Sequence, residues 1–135
     1  MEEIKDNNGN LLAIIFKEEY RDGVNFITKS DSYLQVGLMQ HKKGHIVKPH
    51  KHRNVDLKVR RIQEVLFIRE GKLQAVFYDK NKSKLCEKIL TPGDIVILID
   101  GGHGFEVIED CKIVEVKQGP YISKEHDKEI IGESL

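Results

Sequence analysis

The sequence predicts an all-β domain, built as an antiparallel barrel or a double-sheet jelly roll. Three observations lead to this prediction. Apolar residues recur with a period of two in short segments, turn-forming residues separate those segments, and no segment before residue 120 carries a helical stripe. Segments spaced about 8–12 residues apart pair as hairpins, so the chain is expected to close into an antiparallel structure.

The predicted strands are short and rich in Val, Ile, Leu and Phe. They are LLAIIF (11–16), YLQVGLMQ (33–40), EVLFIRE (64–70), KLQAVFYD (72–79), KLCEKIL (84–90), DIVILID (94–100), GFEVIE (104–109) and CKIVEVK (111–117). Residues 70–71 and 79–83 predict hairpin turns, residues 92–94 a turn ahead of a strand, and residues 100–102 a break. The polar tail from residue 120 is expected to form a short helix or to fray.

Length and composition predict one soluble domain over residues 1–135, with its core at 34–117, an N-terminal strand at 11–16 and a polar tail at 120–135. Lys plus Arg and Asp plus Glu are equal at 22 each, so no global charge attracts nucleic acid or an anionic membrane. No apolar run approaches the ~20 residues that span a bilayer. The first ten residues are acidic and polar, unlike a signal peptide, and we therefore expect a cytoplasmic protein.

Two cysteines, Cys86 and Cys111, lie inside apolar predicted strands. Neither has an adjacent histidine or a second cysteine in a CxxC spacing, which disfavours a catalytic thiol or a redox pair. We expect both to be small buried apolar side chains rather than a disulfide, since a cytoplasmic protein is kept reduced.

Four ionisable side chains form a candidate metal site. His50 and His52 are two residues apart, so in an extended strand they share one face. Glu64 shares its face with Leu66 and Ile68, which places a carboxylate among apolar side chains. Burying a carboxylate is costly unless a cation or strong donors lie nearby, and a metal ion is one such partner.

The fourth candidate is His103, which follows two glycines and precedes a third in IDGGHGF. Glycines let the backbone turn sharply and bring the imidazole close to a neighbouring strand. Three imidazoles and one carboxylate suit divalent Fe, Mn, Ni, Cu or Zn and leave coordination positions open. The predicted ligands are therefore His50, His52, Glu64 and His103, which meet only if the sheet closes.

The first group of these residues resembles the first motif of the cupin superfamily. Gly44 is followed by five residues and then by His50 and His52 in a His-x-His arrangement. Glu64 is followed by six residues and Gly71, which is similar to the end of that motif.

The segment PGDIVILIDGGHGF (92–105) is similar to the second cupin motif, with Gly93 opening it and His103 as the ligand. The resemblance covers about residues 34–117. It implies a double-stranded β-helix, a bound divalent metal and dioxygenase, isomerase or epimerase chemistry on a small molecule. One fold hosts many functions, so the ligands do not name the reaction.

Two features depart from the cupin pattern. Eleven residues separate His52 from Glu64, where the family usually has three or four. The second motif is one residue short and carries Ile99 and Asp100 where a proline is common. The extra residues are expected to form a longer hairpin or a flap at the rim, because surface insertions cost little. If the register slips by one residue, Gln63 replaces Glu64 as the fourth ligand.

Three further side chains are candidates for a substrate pocket. Arg60 and Arg61 face opposite ways in an extended segment, so one of them can clamp a carboxylate or phosphate at the barrel mouth. The alternative for either arginine is a surface salt bridge. Phe105 shares a face with His103 and is the candidate pocket wall. The remaining histidines, His41, His45 and His126, are expected to be exposed.

Three functional hypotheses follow. The first is a metal-dependent enzyme of small-molecule metabolism, of carbohydrate type. The second is a metal-independent sugar-nucleotide isomerase with His50 and His52 as acid and base, because DNNGNLLAII (6–15) and VKQGPYISKEHD (116–127) are similar to cupin-like ketoisomerases of polysaccharide synthesis. The third is a non-catalytic binding or sensing module.

A homodimer is expected in each case, because the apolar segment 11–16 would need cover if it formed an edge strand.

Overall fold

The structure is a computed structural model, and residues 1–132 are described. It is all-β, with 47% strand and 3% helix, which confirms the predicted class. The elements are β1 (Glu2–Lys5), β2 (Leu11–Lys17), β3 (Gly23–Phe26), β4 (Gly37–Gln40), β5 (Glu64–Tyr78), β6 (Lys84–Leu90), β7 (Asp94–Leu98), β8 (Gly102–Lys117) and α1 (Lys124–Asp127). Within the described residues, no helix has the length and apolar character to cross a membrane.

The chain divides into two compact units. The first joins Met1–Lys17 to the chain from Arg61 onward, and the second is Glu18–Arg60. The prediction of a single domain over residues 1–135 stays a prediction.

The first unit is one antiparallel sheet that curls strongly into a half-barrel. Its strand order is β1-β2-β7-β5-β6, and β8 pairs with the other edge of β5. β5 is the organising strand, because it pairs with β7 through its first residues, with β6 through its last residues and with β8 along nearly its whole length.

A crease crosses this sheet at the middle of β5. The pairing of β5 with β8 loses its regular register between Ile68 and Leu73. Gly71 lies at this point with φ of 84°, and a Cβ there would overlap the backbone carbonyl of Asp110 on β8. The chain between β6 and β7 bends at the same level, where the Gly93 N–H donates to Ile68 O at 2.9 Å. β5, β8 and the connection between β6 and β7 therefore bend at the same level of the sheet.

The folded sheet buries its core between its two halves. One buried cluster is formed by side chains of β1, β2, β5, β6 and β7, with three partly buried side chains packed against it. The cluster consists of Ile4, Ala13, Ile15, Leu66, Ile68, Leu73, Ala75, Phe77, Leu90, Val96 and Leu98, and the partly buried residues are Cys86, Phe105 and Cys111. On each strand they alternate with residues of the opposite face, as a period of two requires.

Both cysteines are free and partly buried. Burial raises the pKa of the Cys86 thiol, although the charge on Lys88 opposes that rise. This environment agrees with the prediction of small apolar side chains rather than a reactive thiol.

Several predicted boundaries differ from the structure. The predicted turn at 70–71 is wrong, since β5 continues through it, and β8 likewise joins the predicted strands 104–109 and 111–117. A glycine with positive φ can introduce a bend without ending the pairing, which is how Gly71 acts here. Of the predicted strand 33–40, only Gly37–Gln40 is extended and paired. The turns at 79–83 and 92–94 and the break at 100–102 are confirmed. Of the two states expected for the tail, residues 124–127 take the short helix, and residues 133–135 lie outside the described residues.

The segment 11–16 is not an edge strand, contrary to the expectation. β2 pairs with β1 on one side and with β7 on the other, and Leu12 and Ala13 are fully buried. Among the described strands, β8 pairs only with β5, and its Val107, Val114 and Val116 are half exposed. The expected homodimer thus loses its original argument and remains a prediction.

The second unit contains the two-stranded antiparallel sheet of β3 and β4. Gly23 pairs with Gln40 and Phe26 with Gly37. After β4, residues 41–60 of this unit have no helix or strand. Its one marked turn is in the first residues, where Gly44 has φ of 90° and the His45 N–H donates to Lys42 O.

Candidate functional site

The first unit brings Glu64 and His103 together on the concave face of its sheet. Glu64 Oε2 lies 3.5 Å from His103 Nε2. The side chain of Glu64 is 12% exposed and that of His103 is 32% exposed, so the carboxylate is nearly enclosed and the imidazole is reachable. These two predicted ligands, 39 residues apart in sequence, are neighbours in the fold.

The crease explains this contact. In the β5–β8 pairing, His103 is opposite Phe77, which lies thirteen residues after Glu64. A straight strand of that length would separate the two levels by roughly 40 Å. Contact at 3.5 Å is possible because the sheet folds back on itself between them. The pair therefore depends on the bend at the middle of β5.

The local sequence determines the direction in which the side chains of Glu64 and His103 point. Glu64 has the same strand parity as Leu66 and Ile68, both in the buried cluster, so its carboxylate faces the interior. His103 follows Gly101, whose φ is 70° and where a Cβ would overlap Tyr78 O. A side chain at position 101 would push β8 away from β5, so glycine is required for His103 to take its position.

The electrostatics of Glu64 are dominated by its histidine partner. The hydrogen bond from His103 lowers the pKa of Glu64, and burial acts in the opposite direction. The positive charge of protonated His103, a hydrogen bond from Glu115 and the charge of Lys117 lower it further. The net effect is a carboxylate that stays ionised, which is the form that binds a metal ion or accepts a proton.

Two residues of this site were missed in the sequence. Glu115 and Lys117 stand opposite Leu66 and Glu64 on β8 and therefore share their inward face. Burial and then the negative charge of Glu64 raise the pKa of Glu115, and its protonated form can donate a hydrogen bond to Glu64. Alternation in KIVEVK placed both on one face, but the register that sets them beside Glu64 is not visible in the sequence.

A third missed residue, Asp127 of α1, fixes Lys117. Its carboxylate accepts from Lys117 Nζ at 2.7 Å, and its side chain is only 6% exposed. This hydrogen bond is the main reason that the pKa of Lys117 is raised. α1 itself begins at the N-cap Ser123, whose hydroxyl accepts from the His126 N–H.

The segment that follows α1 contacts both ends of β8. Asp127 holds the tail at Lys117, the last residue of β8. The side chain of Ile131 lies over Gly102, the first residue of β8 and the neighbour of His103. Residues 127–131 thus pass beside the Glu64–His103 pair, and we call them the tail strap.

Gln63, the alternative fourth ligand, takes a different place. Its backbone N–H donates to Gln118 Oε1 at 2.5 Å, and its side-chain Nε2 donates to Ile99 O at 3.4 Å. Its amide is therefore engaged with the backbone, whereas the adjacent Glu64 faces His103.

His50 and His52 belong to the second unit and are not in a strand, contrary to the expectation. The residues around them pair with no strand, so the alternation of side chains along a strand does not set the direction of the two imidazoles. Their rings nevertheless meet edge to face with centroids 5.4 Å apart. His50 Nδ1 lies 2.8 Å from Lys48 O, and both histidines are exposed. Whether they join Glu64 and His103 stays a prediction.

The other candidates have these surroundings. Arg61 pairs with Asp100, which Lys80 also contacts at 3.0 Å, so the surface salt bridge is the observed state of Arg61. Arg60 is exposed.

Phe105 packs against the core with its ring centroid 5.5 Å from that of His103, as its shared face predicts. The predicted exposure of three histidines is confirmed for His41, His45 and His126.

The distance between Glu64 and His103 fits binding to one metal ion. Two atoms that bind an ion at about 2.1 Å and at right or tetrahedral angles lie roughly 3.0–3.4 Å apart, and the observed separation is 3.5 Å. One imidazole nitrogen and one carboxylate oxygen are donors that transition metals accept. Within residues 1–132, no group of three or more His, Cys, Asp or Glu is arranged to hold an ion.

Comparison of the chain with protein-family models, curated proteins and solved structures finds no match.

Proposed function

We propose that the chain is a cupin-type enzyme that binds one divalent transition metal and acts on a small molecule in a double-stranded β-helix. His50, His52, Glu64 and His103 are the proposed ligands. The metal, one of Fe, Mn, Ni, Cu or Zn, would polarise a carbonyl, stabilise an enediolate or bind dioxygen, so isomerase, epimerase and dioxygenase reactions fit. The substrate class that we favour is a carbohydrate.

One observation carries this proposal: the fold places Glu64 and His103 within 3.5 Å of each other on a concave, largely apolar face. The lowered pKa of Glu64 supports it, because a metal ligand must be ionised at neutral pH. Phe105 beside His103 supplies an apolar surface for a bound molecule.

Metal analysis of protein purified without chelators and without a histidine tag tests the proposal. We expect about one transition-metal ion per chain in the natural protein. His103→Ala, Glu64→Gln and His50→Ala are each expected to lower the metal content strongly, because each removes a proposed ligand. The matched control is His126→Ala, an exposed histidine outside the proposed set.

Circular dichroism establishes that each variant is folded before its metal is counted. Equal metal content in the His103→Ala and His126→Ala proteins would reject ligation by His103. A natural protein that takes up none of the five metals on reconstitution would reject the metal-dependent function altogether.

A second candidate is a metal-independent sugar-nucleotide isomerase in which His50 and His52 transfer a proton between adjacent carbons. The observation in its favour is the direct contact of the two rings, 5.4 Å between centroids. The hydrogen bond between His50 Nδ1 and Lys48 O leaves Nε2 of His50 as the nitrogen able to exchange protons with a substrate.

Thermal denaturation with a panel of nucleotide-linked sugars in excess chelator distinguishes the two candidates. A stabilisation that persists in chelator and turnover that is lost in His50→Ala and His52→Ala favour the isomerase. A flat response across the panel rejects it. Tight binding of one molecule without turnover would instead identify a non-catalytic binding module, the third hypothesis.

The proposed assembly is a homodimer. Light scattering coupled to gel filtration tests it, since a dimer doubles the chain mass of 15.5 kDa. A single species at the chain mass over the whole concentration range would reject the dimer.

A further inference from the structure

Lys117 lies beside Glu64 but is bound by another carboxylate. The two residues are directly opposite each other in the pairing of β5 with β8, so both side chains are on the concave face. Cβ atoms in such positions are about 4.5–5.5 Å apart, a gap that a lysine side chain spans, and opposite charges there normally attract. Within residues 1–132, however, the ion pair of Lys117 is with Asp127, at 2.7 Å, and not with Glu64.

Two residues that follow β8 hold the ammonium group of Lys117. The first is Asp127, whose side chain is 6% exposed, so little water screens the attraction. The second is Tyr121, whose ring centroid lies 5.7 Å from Lys117 Nζ, within the range of a cation–π contact. The ammonium group is therefore engaged by the segment after β8 instead of by β5.

This arrangement leaves the Glu64 carboxylate to His103. Glu64 Oε2 lies 3.5 Å from His103 Nε2, the separation that fits a shared metal ion. A lysine ammonium group would compete with a metal ion for the same carboxylate oxygens, and its charge would also repel the ion. Pairing with Asp127 prevents the competition and offsets the repulsion, because the ion pair carries no net charge.

The carboxyl groups that a released Lys117 would meet are those of Glu64 and Glu115. Glu115 lies two residues before Lys117 on the same face and is hydrogen-bonded to Glu64. An ammonium group that pairs with either of them brings a positive charge next to the proposed metal position. The loss of Asp127 is therefore expected to weaken metal binding in both cases.

The tail strap has two further contacts with the sheet, and these do not involve Lys117. Glu129 pairs with Lys82 in the turn after β5, and the side chain of Ile131 lies over Gly102. A substitution at Glu129 can therefore loosen the strap without releasing Lys117. This separates the pairing of Lys117 from the general attachment of the strap.

We propose that Asp127 is a positioning residue of the candidate metal site, which holds Lys117 away from Glu64 and so leaves that carboxylate free for the metal ion. The inference rests on the metal-dependent function proposed above. It also makes the strap a regulator of the site, because undocking of Asp127 would release Lys117 and lower the affinity for metal.

The affinity of the full chain for Zn²⁺, measured by competition with a chromophoric chelator, tests this role. Asp127→Asn keeps the shape of the side chain and removes its charge. We expect it to weaken Zn²⁺ binding about tenfold, the effect of one charged hydrogen bond transferred to the competing pair. The matched control is Glu129→Gln, which removes the exposed ion pair with Lys82 and is expected to change the affinity by less than about twofold.

A second substitution distinguishes this role from a merely structural one. Lys117→Gln removes the competitor, and we expect it to bind Zn²⁺ at least as tightly as the natural protein. In the Lys117→Gln background, Asp127→Asn is expected to cause no further loss. If Asp127 acted only by holding the strap in place, it would weaken Zn²⁺ binding equally in both backgrounds.

The metal-free protein gives a readout that does not depend on the proposed function. In chelator-treated protein, the ¹³C signal of the Glu64 side-chain carboxyl reports the charges around it. We expect Asp127→Asn to shift this signal in the natural background and to leave it in place in the Lys117→Gln background. If the natural protein takes up no metal but this pattern is found, the metal-dependent function fails while the control of Lys117 by Asp127 stands.

Two results would overturn the inference. One is a Glu64 carboxyl signal that Asp127→Asn leaves unchanged in the natural background. The other is a loss of Zn²⁺ affinity on Asp127→Asn that is absent, or that is the same with and without Lys117. Either result in a protein that binds Zn²⁺ would reject the role of Asp127 and leave the metal site itself intact.

Discussion

The two pairs of candidate ligands are held in opposite ways. Glu64 and His103 lie on paired strands of a creased sheet, and their side chains are 12% and 32% exposed. His50 and His52 lie in a segment without regular structure, and both are exposed. Ladder hydrogen bonds and glycines fix the position of the strand pair, whereas the loop pair has the contact of its own rings and the hydrogen bond between His50 Nδ1 and Lys48 O.

This difference has a chemical consequence. A site on a rigid scaffold holds its geometry before any ligand binds, while a loop must be ordered at the cost of conformational entropy. Glu64 and His103 therefore hold their positions without a ligand, whereas the segment around His50 and His52 would have to be ordered on binding. Substitutions in the two pairs are therefore expected to differ in their effect on the unliganded protein.

The largest expected effect comes from the crease. Gly71→Ala forces a Cβ into the Asp110 carbonyl at a φ of 84°, and we expect a loss of about 3 kcal/mol or more in the free energy of unfolding. Gly9→Ala is the control, since Gly9 has φ of 81° but no atom within 4 Å of the added Cβ. It is expected to cost about 1 kcal/mol. Urea denaturation measures both, and equal losses would contradict a close approach at the crease.

The second-largest expected effect is a difference in stability between substitutions in the strand pair and in the loop pair. Glu64→Gln removes the charge that pairs with His103 in a nearly enclosed position, and we expect it to cost about 1–2 kcal/mol in chelator-treated protein. His52→Ala alters an exposed side chain and is expected to stay within about 0.5 kcal/mol. The measurement is again urea denaturation. A loss for His52→Ala as large as that for Glu64→Gln would show that the loop pair is also held rigidly.

The smallest effect concerns Glu115. Because its pKa is raised in the folded protein, its ionisation opposes folding, and the stability it contributes when protonated is lost as pH rises through that pKa. Glu115→Gln should therefore be the more stable protein at pH 7. The advantage is small, about 0.5 kcal/mol or less at this exposed position, and should vanish below the ordinary value of 4.5.

Denaturation at pH 7 and at pH 4 measures this effect. Glu106→Gln, opposite Gln74 on the same pair of strands, is the control. An advantage for Glu115→Gln that is the same at both pH values would argue against coupling between Glu115 and Glu64.

Much of the fold was predictable from local pattern. Alternation identified β2, β6 and β7 almost to the residue, and glycine and proline identified the turn before β7. The crease was not predictable, because Gly71 looks the same in sequence whether it ends a strand or bends one. β1 and β3 were missed for a different reason. Each has only four residues and too little alternation to stand out.

For the candidate site, the rule that side chains alternate along a strand predicted shared faces correctly where a paired strand exists. It was wrong where no strand forms. It predicted that Glu64 shares a face with Leu66 and that Phe105 shares a face with His103, as the structure shows. The same rule applied to His50 and His52 assumed a strand that the structure does not contain. Glu115 and Lys117 were beyond sequence reasoning, because register across 50 residues or so cannot be read from one chain.

The tail strap has a practical consequence for handling the protein. It ties Asp127 to Lys117 and rests Ile131 on Gly102, so the chain is held beside β8 as far as Ile131. A protease that clips the strap between these two contacts would uncover Gly102 beside His103 and leave Asp127 paired with Lys117.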